Sequence, residues 1–348
     1  MRTAVAIAIM ILVSVLAALM LYILARRLVV AWVQGIERRR RETLEQALQP
    51  WLRGETATPP SLLQRLRRWP DRSIFVDLCL QALPRTDAAT RARMIEWLEA
   101  HGYVAQWLRE LRHRSAWKRE NAAELLGIAR SERAVDPLLE ALQDEVLDVR
   151  MRAAAALGQL GGRRAREALI GALTDQNRWS TIRITDLLSG MGPEVGPELR
   201  RAFPGMGRAA RLAAIDLIAR VGSADSGEFF TALLQDDDID IRARAAAALG
   251  RIGHHPAAGP LLQALEDPAW PVRAMAAKSL GSLQVEAAVP LLCAALRDRE
   301  WWVRANSAAA LRALGPAGAD ALRRMQDDPD RFARDQARAT LEEMETTS

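Results

Sequence analysis

The chain has 348 residues, half of them apolar but only 5% aromatic, with 48 Lys or Arg against 43 Asp or Glu and a net charge of +5. Alanine, leucine and arginine dominate, and these head the helix-propensity scale while strand formers are sparse, so the composition excludes a sheet-based fold. Cys79 and Cys293 lie far apart in apolar helical patterns, which excludes a disulfide framework and reads as two buried free thiols.

Ala4 to Ala25, AVAIAIMILVSVLAALMLYILA, is 22 residues without a charge. At 1.5 Å per residue a helix of this length spans about 33 Å, enough for a bilayer core. A membrane helix is expected. A cleaved signal peptide is the rival reading, but its apolar region is shorter and ends in a small-x-small site, whereas this run continues into Arg26 and Arg27. Arg26, Arg27 and Arg38 to Arg41 outweigh Arg2, so the positive-inside rule places the amino terminus outside and the rest in the cytoplasm, as a single-pass protein of the inner membrane. The sequence LVVAWVQGIERRRRETLEQALQ remains helical, with Trp32 at interfacial depth, until GETATPP, Gly54 to Pro60, breaks it. Three regions result: an anchor over 1–27, a basic juxtamembrane helix and linker over 28–72, and a third region over 73–348.

The third region repeats itself. WPVRAMAAKSLGSL begins at Trp270, and 31 residues later WWVRANSAAALRAL begins at Trp301. The last leucine-like residue of each apolar block falls at Leu98, Leu126, Leu157, Leu188, Ile218, Leu249, Leu280, Leu311 and Leu341, in steps of 28 to 31 residues. A fixed period of that size marks a repeat architecture. Within one unit, AVDPLLEALQDEVLDVRMRAAAALGQLG from Ala134 to Gly161, two apolar stripes flank a short acidic turn and glycine ends the second stripe. Each unit is therefore expected to be a helical hairpin. Ala153, Ala154 and Ala156, with Ala245, Ala246 and Ala248, belong to the seam between stacked helices.

A PLLxAL helix, an Asp, four residues, Val-Arg and an alanine-rich block ending in Leu-Gly together resemble HEAT repeats, in the short variety first recognised in phycobiliprotein lyases. The resemblance covers about Ser73 onward and is clearest from Ala134. It implies an all-α fold, a right-handed α-solenoid of hairpins preceded here by one transmembrane helix. It also implies that the Asp braces the turn and that the Arg six residues later bonds turn groups of its own or the neighbouring unit. The pairs would be Asp144 with Arg150, Asp236 with Arg242, Asp267 with Arg273, Asp298 with Arg304, and Asp328 with Arg334. The unit around Thr181 lacks the Arg and the one around Arg211 lacks the Asp, so looser stacking is expected there.

No catalytic constellation is visible. GQLGGRR and GRIGHHP are helix-ending turns rather than phosphate loops, and no Ser, His and Asp set has triad spacing. His101, His113, His254 and His255 lack a second ligand at helical spacing, so neither metal nor cofactor is expected. Residues 1 to 72 hold 12 Arg and 5 Asp or Glu, leaving the remainder at −2, which argues against nucleic acid. What remains is surface. Beside the Val-Arg pair, Asn121, Arg152, Arg183, Arg244, Met275 and Asn306 form one column, and Glu124, Asp186, Asp216 and Lys278 another, on the expected concave face. Trp270 and Trp301 share one repeat position and Trp117, Trp179 and Trp302 the next, an edge that is either packing or a second binding site. The expectation is a membrane-anchored, non-enzymatic scaffold or regulatory adaptor for a protein partner, with no small-molecule substrate. A lyase-like subunit acting on a tetrapyrrole or modified protein is the alternative.

Overall fold

The computed structural model describes residues 19–24, 26, 27, 32, 35, 36, 38–51, 53, 55, 56, 69–175, 179–222 and 225–346. Helices and short connections account for all of these, and no strand occurs among the described residues. Most of the expected membrane span Ala4–Ala25 lies outside them. Residues 19–24 of it are helical, with Leu19 to Leu24 all exposed. No helix among the described residues is long and apolar enough to cross a membrane.

The chain divides into two compact units, Met1–Ala134 and Val135–Ser348. The first contains α1 (38–51), α2 (Trp69–Ala82), α3 (Ala88–Ala100), α4 (Tyr103–Glu110) and α5 (Ala116–Ala129). Helix α1 falls where the sequence pattern expects the juxtamembrane helix, and it packs against α2. Leu44, Leu48 and Trp51 lie on one helical face and are buried, with the Trp51 ring stacked on Phe75 of α2 at 6.2 Å. Arg41 donates to Asp77 at 2.8 Å and to Gln81 at 2.9 Å. The apolar spacing in LEQALQPW carries the packing here, so the first folded unit begins before residue 73.

The second unit consists of hairpins: α6 (Val135–Ala141) with α7 (Leu147–Leu160), α8 (Arg163–Thr174) with α9 (Thr181–Ser189), and α10 (Val195–Ala202) with α11 (Arg208–Val221). Then follow α12 (Ser226–Leu233) with α13 (Ile239–Arg251), α14 (Ala258–Ala264) with α15 (Trp270–Ser282), α16 (Val289–Ala295) with α17 (Trp301–Ala313), and α18 (Gly315–Met325) with α19 (Arg331–Thr346). Every residue of the leucine ladder is buried, as are the six seam alanines. Four residues past the ladder position the backbone turns left-handed in each repeat from Arg130 to Gly315, which terminates the second helix. Glycine serves this at Gly161, Gly192, Gly222, Gly253 and Gly315, whereas Arg130 and Gln284 adopt positive φ at the same register. Gln284 offsets the strain with its side chain, donating to the carbonyls of Gly281 and of Ala313 in the next second helix.

The Asp–Arg pairs implied by the resemblance form a spine that runs from Asp236 to Arg334, with one earlier member at Asp144 and Arg150. In each turn the aspartate carboxylate accepts from the backbone N–H two residues on, as Asp144 does from Val146 and Asp298 from Glu300 at 2.9 Å. The arginine six residues later donates to the aspartate's own carbonyl, at 2.9 Å for Arg150, 2.8 Å for Arg242, Arg273 and Arg304, and 2.7 Å for Arg334. Two arginines also reach the next repeat: Arg242 grips Asp267, and Arg273 grips Asp298, each through two parallel hydrogen bonds. The α4–α5 turn reproduces the motif with a different residue. There His113 Nδ1 accepts from the Ser115 N–H at 3.0 Å, and Arg119 donates to the His113 carbonyl at 2.9 Å. An aspartate search misses this unit because imidazole supplies the same acceptor.

Where the spine lapses, around Thr181 and Arg211, stacking is looser. Helix α9 has 9 residues against 14 in α7. A Cβ placed on Gly158 would lie 3.5 Å from Leu187, an ordinary contact, whereas one on Gly281 would lie 2.6 Å from the Ala310 Cα. The first helices compensate: Arg166 of α8 holds Glu198 of α10 through two hydrogen bonds, both side chains largely buried, and Arg200 donates to Ser226 of α12.

Candidate protein-binding surfaces

In each second helix the positions that pack on neighbouring repeats are fixed by the fold. What stays exposed in register lies five and two residues before the ladder leucine. In the Val135–Ser348 unit, Arg152, Arg183 and Arg244 are exposed at the first position, and Met275 and Asn306 are half-buried there. At the second, Asp186 and Lys278 are exposed and Asp216 half-buried. The columns pair across helices, since Arg244 of α13 forms an ion pair with Asp216 of α11. Arg220 of α11 approaches Asp186 of α9 to 4.0 Å. Arg220 was missed from sequence because it lies two residues beyond the ladder position, on the same face one turn further along. Exposed pairs of this kind contribute little to stability and are cheaply exchanged for a partner's charges.

Asn121 and Glu124 belong to the Met1–Ala134 unit. Asn121 lines a cavity of about 630 Å³ there, together with Val76, Leu80, Tyr103, Trp107 and Trp117. Glu124 is exposed on the same helix, α5.

The tryptophan edge divides. Trp270, Trp301 and Trp302 open α15 and α17 and remain exposed, the last two in edge-to-face contact at 4.7 Å. Trp117 is exposed in the other unit. Trp179, expected on the same edge, is buried, with its ring 5.9 Å from the Arg150 guanidinium of the preceding repeat. Its role is packing. Phe332 takes the equivalent place in α19, 4.6 Å from the Arg304 guanidinium, yet stays exposed. Ile239 and Phe332 extend the edge and were legible from repeat register alone, though a search for tryptophan passes over them. Of the cysteines, Cys79 is fully buried and burial pushes its thiol pKa up, but Cys293 is only half-buried, which corrects the expectation for that residue. No cluster of metal-ligating side chains occurs among the described residues.

Three segments, residues 104–187, 199–265 and 258–342, match HEAT repeats and together cover more than half of the chain. The chain belongs to the HEAT repeat family. No curated protein matches it. Among solved structures these HEAT repeats are similar to the complex of CpcE and CpcF of phycocyanin lyase from Nostoc, with 20% identity over 69% of this chain and 94% of that one and a TM-score of 0.31. Human deoxyhypusine hydroxylase in complex with glycerol shares 28% identity over 78% of this chain and 96% of its own, with a TM-score of 0.31. A chain of the Kap95p structure with RanGDP shares 14% identity over 85% of this chain and 45% of its own, with a TM-score of 0.46. Superpositions this loose carry no functional argument.

Proposed function

We propose that the protein is a non-enzymatic scaffold or regulatory adaptor, anchored in the cytoplasmic membrane, that binds another protein along the exposed face of its second helices. HEAT arrays stack repeats into extended surfaces used for binding partners. The observation that carries the reading is the contrast within each repeat. Ladder positions keep one chemistry throughout and seam and spine positions keep theirs in most repeats, while the exposed face runs Arg152, Arg183, Arg244, Met275 and Asn306 beside Asp186, Asp216 and Lys278. A mixed pattern of this kind fits a partner of mixed charge lying along the stack. In this reading the stack is right-handed and the face concave.

Anchoring is supported by the uncharged run Ala4–Ala25 and the arginines that follow it. A reporter fused after Ser348 is expected to show cytoplasmic and no periplasmic activity, and replacing Arg26, Arg27 and Arg38 to Arg41 to erode that orientation. The scaffold is tested by crosslinked affinity recovery from native membranes. Arg152, Arg183 and Arg244 changed together to Glu should lose the partner that the wild-type chain recovers while the melting temperature holds, and retention of that partner removes this face from consideration.

A further inference from the structure

The turn edge of the Val135–Ser348 unit carries an apolar patch that folding does not require. Ile239, Trp270, Trp301, Trp302 and Phe332 open the successive second helices α13, α15, α17 and α19, and all are exposed, Trp301 by 54% and Trp302 by 56%. The bidentate bonds of Arg242 to Asp267 and Arg273 to Asp298 tie neighbouring turns together. The side chains therefore follow one another at the interhelical spacing of about 10 Å. Three half-exposed indoles with an isoleucine and a phenylalanine present on the order of 400 Å² of apolar surface, the size at which exposed patches mark interaction sites. The repeat supplies its own control. The same two register positions hold Leu147 and Asp148 in α7 and Arg208 and Ala209 in α11, so opening a second helix does not demand an indole.

Charge selects the occupant. The turn segments 235–242, 265–273, 296–304 and 326–334 hold eleven Asp or Glu against seven Arg. Four of those arginines, Arg242, Arg273, Arg304 and Arg334, donate to turn carbonyls. Arg297 is held by Asp328 and Arg331 by Asp335. The carboxylates of Asp237, Glu266, Glu300 and Asp327 stand exposed around the indoles, opposed by Arg299. Such an edge repels an anionic bilayer or a phosphate backbone. A cationic segment with apolar side chains meets both features, because guanidinium groups stack on indole faces while pairing with carboxylates.

We propose that this edge docks a basic segment of a partner protein, rich in arginine or lysine and interspersed with apolar side chains, laid across the openings of α13, α15 and α17. The edge is a second surface, and its occupancy does not depend on the face of the second helices described above.

The full chain, reconstituted in phosphatidylcholine nanodiscs, is titrated against a fluorescein-labelled synthetic peptide of alternating arginine and leucine, with the glutamate-for-arginine peptide as control. Saturable binding of the arginine peptide alone is expected. Trp270→Ser with Trp301→Ser, and separately Glu266→Lys with Glu300→Lys, should each weaken it by about tenfold or more, as loss of interface anchors does. The melting temperature should stay unchanged. The variant with Arg152, Arg183 and Arg244 changed to Glu should bind the peptide like wild type even where it fails to recover the native partner, which separates this proposal from the scaffold reading. Absence of peptide binding overturns the proposal, as does binding that both edge variants retain. Tryptophan-dependent binding to phosphatidylglycerol vesicles in place of the peptide overturns it as well, and assigns the edge to lipid.

Discussion

Replacing Arg273 with alanine probes the spine at its best-formed joint. The guanidinium donates to the carbonyls of Asp267 at 2.8 Å and Pro268 at 3.1 Å, and to both carboxylate oxygens of Asp298 at 2.7 and 3.0 Å. The side chains are 17% and 12% exposed, so the pair is well shielded without being fully dry. Breaking a fully buried pair by removing one partner costs about 3–5 kcal/mol, mostly because the other charge is left unpaired. Asp298 keeps its bond from the Glu300 N–H and some solvent contact, which lowers that penalty, while two turn carbonyls lose their donor. A net destabilisation of about 3 kcal/mol follows. For a folded body of this size each kcal/mol shifts the midpoint by about 2–4 °C, so a fall of about 6–12 °C is expected in thermal far-ultraviolet circular dichroism of the full chain. Arg299→Ala, one exposed side chain away on the same turn, should stay within about 0.5 kcal/mol of wild type. Adding Asp298→Ala to Arg273→Ala should cost less than the two changes separately, with a coupling of about 1–3 kcal/mol. A shift below about 2 °C for Arg273→Ala, or strict additivity in the cycle, would refute the assignment of the pair as the joint between repeats.

Acid should act through the same spine. Hydrogen bonds from Arg297 hold the Asp328 carboxyl below its ordinary value of 3.8, and those from Arg208 do the same for Asp238. At Asp298 burial pushes the other way, but the bonds from Arg273 and the Glu300 N–H prevail. In the window below 3.8 the folded chain therefore binds fewer protons than the unfolded one, and stability rises with pH there. The melting temperature is expected to be flat above about pH 5 and to fall once the pH drops through the depressed values, with a shallower fall in Asp328→Asn; an identical profile in that variant counts against the linkage. Two glycine changes should differ in sign. Gly281→Ala drives a Cβ to 2.6 Å from the Ala310 backbone and should destabilise by about 1–3 kcal/mol, whereas Gly158→Ala meets only Leu187 at 3.5 Å and should gain up to about 1 kcal/mol from helix propensity. Equal effects at the two positions would deny the difference in helix spacing. Under native conditions a maleimide should label Cys293 before Cys79, which should react only on unfolding, and the reverse order would contradict their burial.

The fold was legible wherever its physics repeats. The leucine ladder, the seam alanines and the acidic turns recur at one period, so each unit reinforces the reading of the others, and all are buried or bonded as the period requires. Legibility failed where one function is served by unlike residues. His113 stands in for an aspartate because a neutral imidazole nitrogen accepts the same N–H. Arg130 and Gln284 take a left-handed turn that glycine marks elsewhere. The burial of α1 was hidden because four consecutive arginines obscured the spacing of Leu44, Leu48 and Trp51.

Surface residues obey a different logic, and the repeat itself makes it readable. Each register position is occupied once per unit, so a position filled by leucine, arginine, isoleucine and tryptophan in turn, as at Leu147, Arg208, Ile239, Trp270 and Trp301, is one on which folding places little demand. Trp179 shows why register alone is insufficient. It shares its position with the exposed Trp302, yet its ring packs beside Arg150 and it is buried, so the same residue at the same position is part of the core in one repeat and surface in another. The two repeats also differ along the spine. Arg273, preceding α17, is drawn onto Asp298, whereas Arg150 precedes the short helix α9 and lies beside an aromatic ring. An arginine beside the ring does not by itself bury it, because Phe332 lies 4.6 Å from the Arg304 guanidinium and stays exposed.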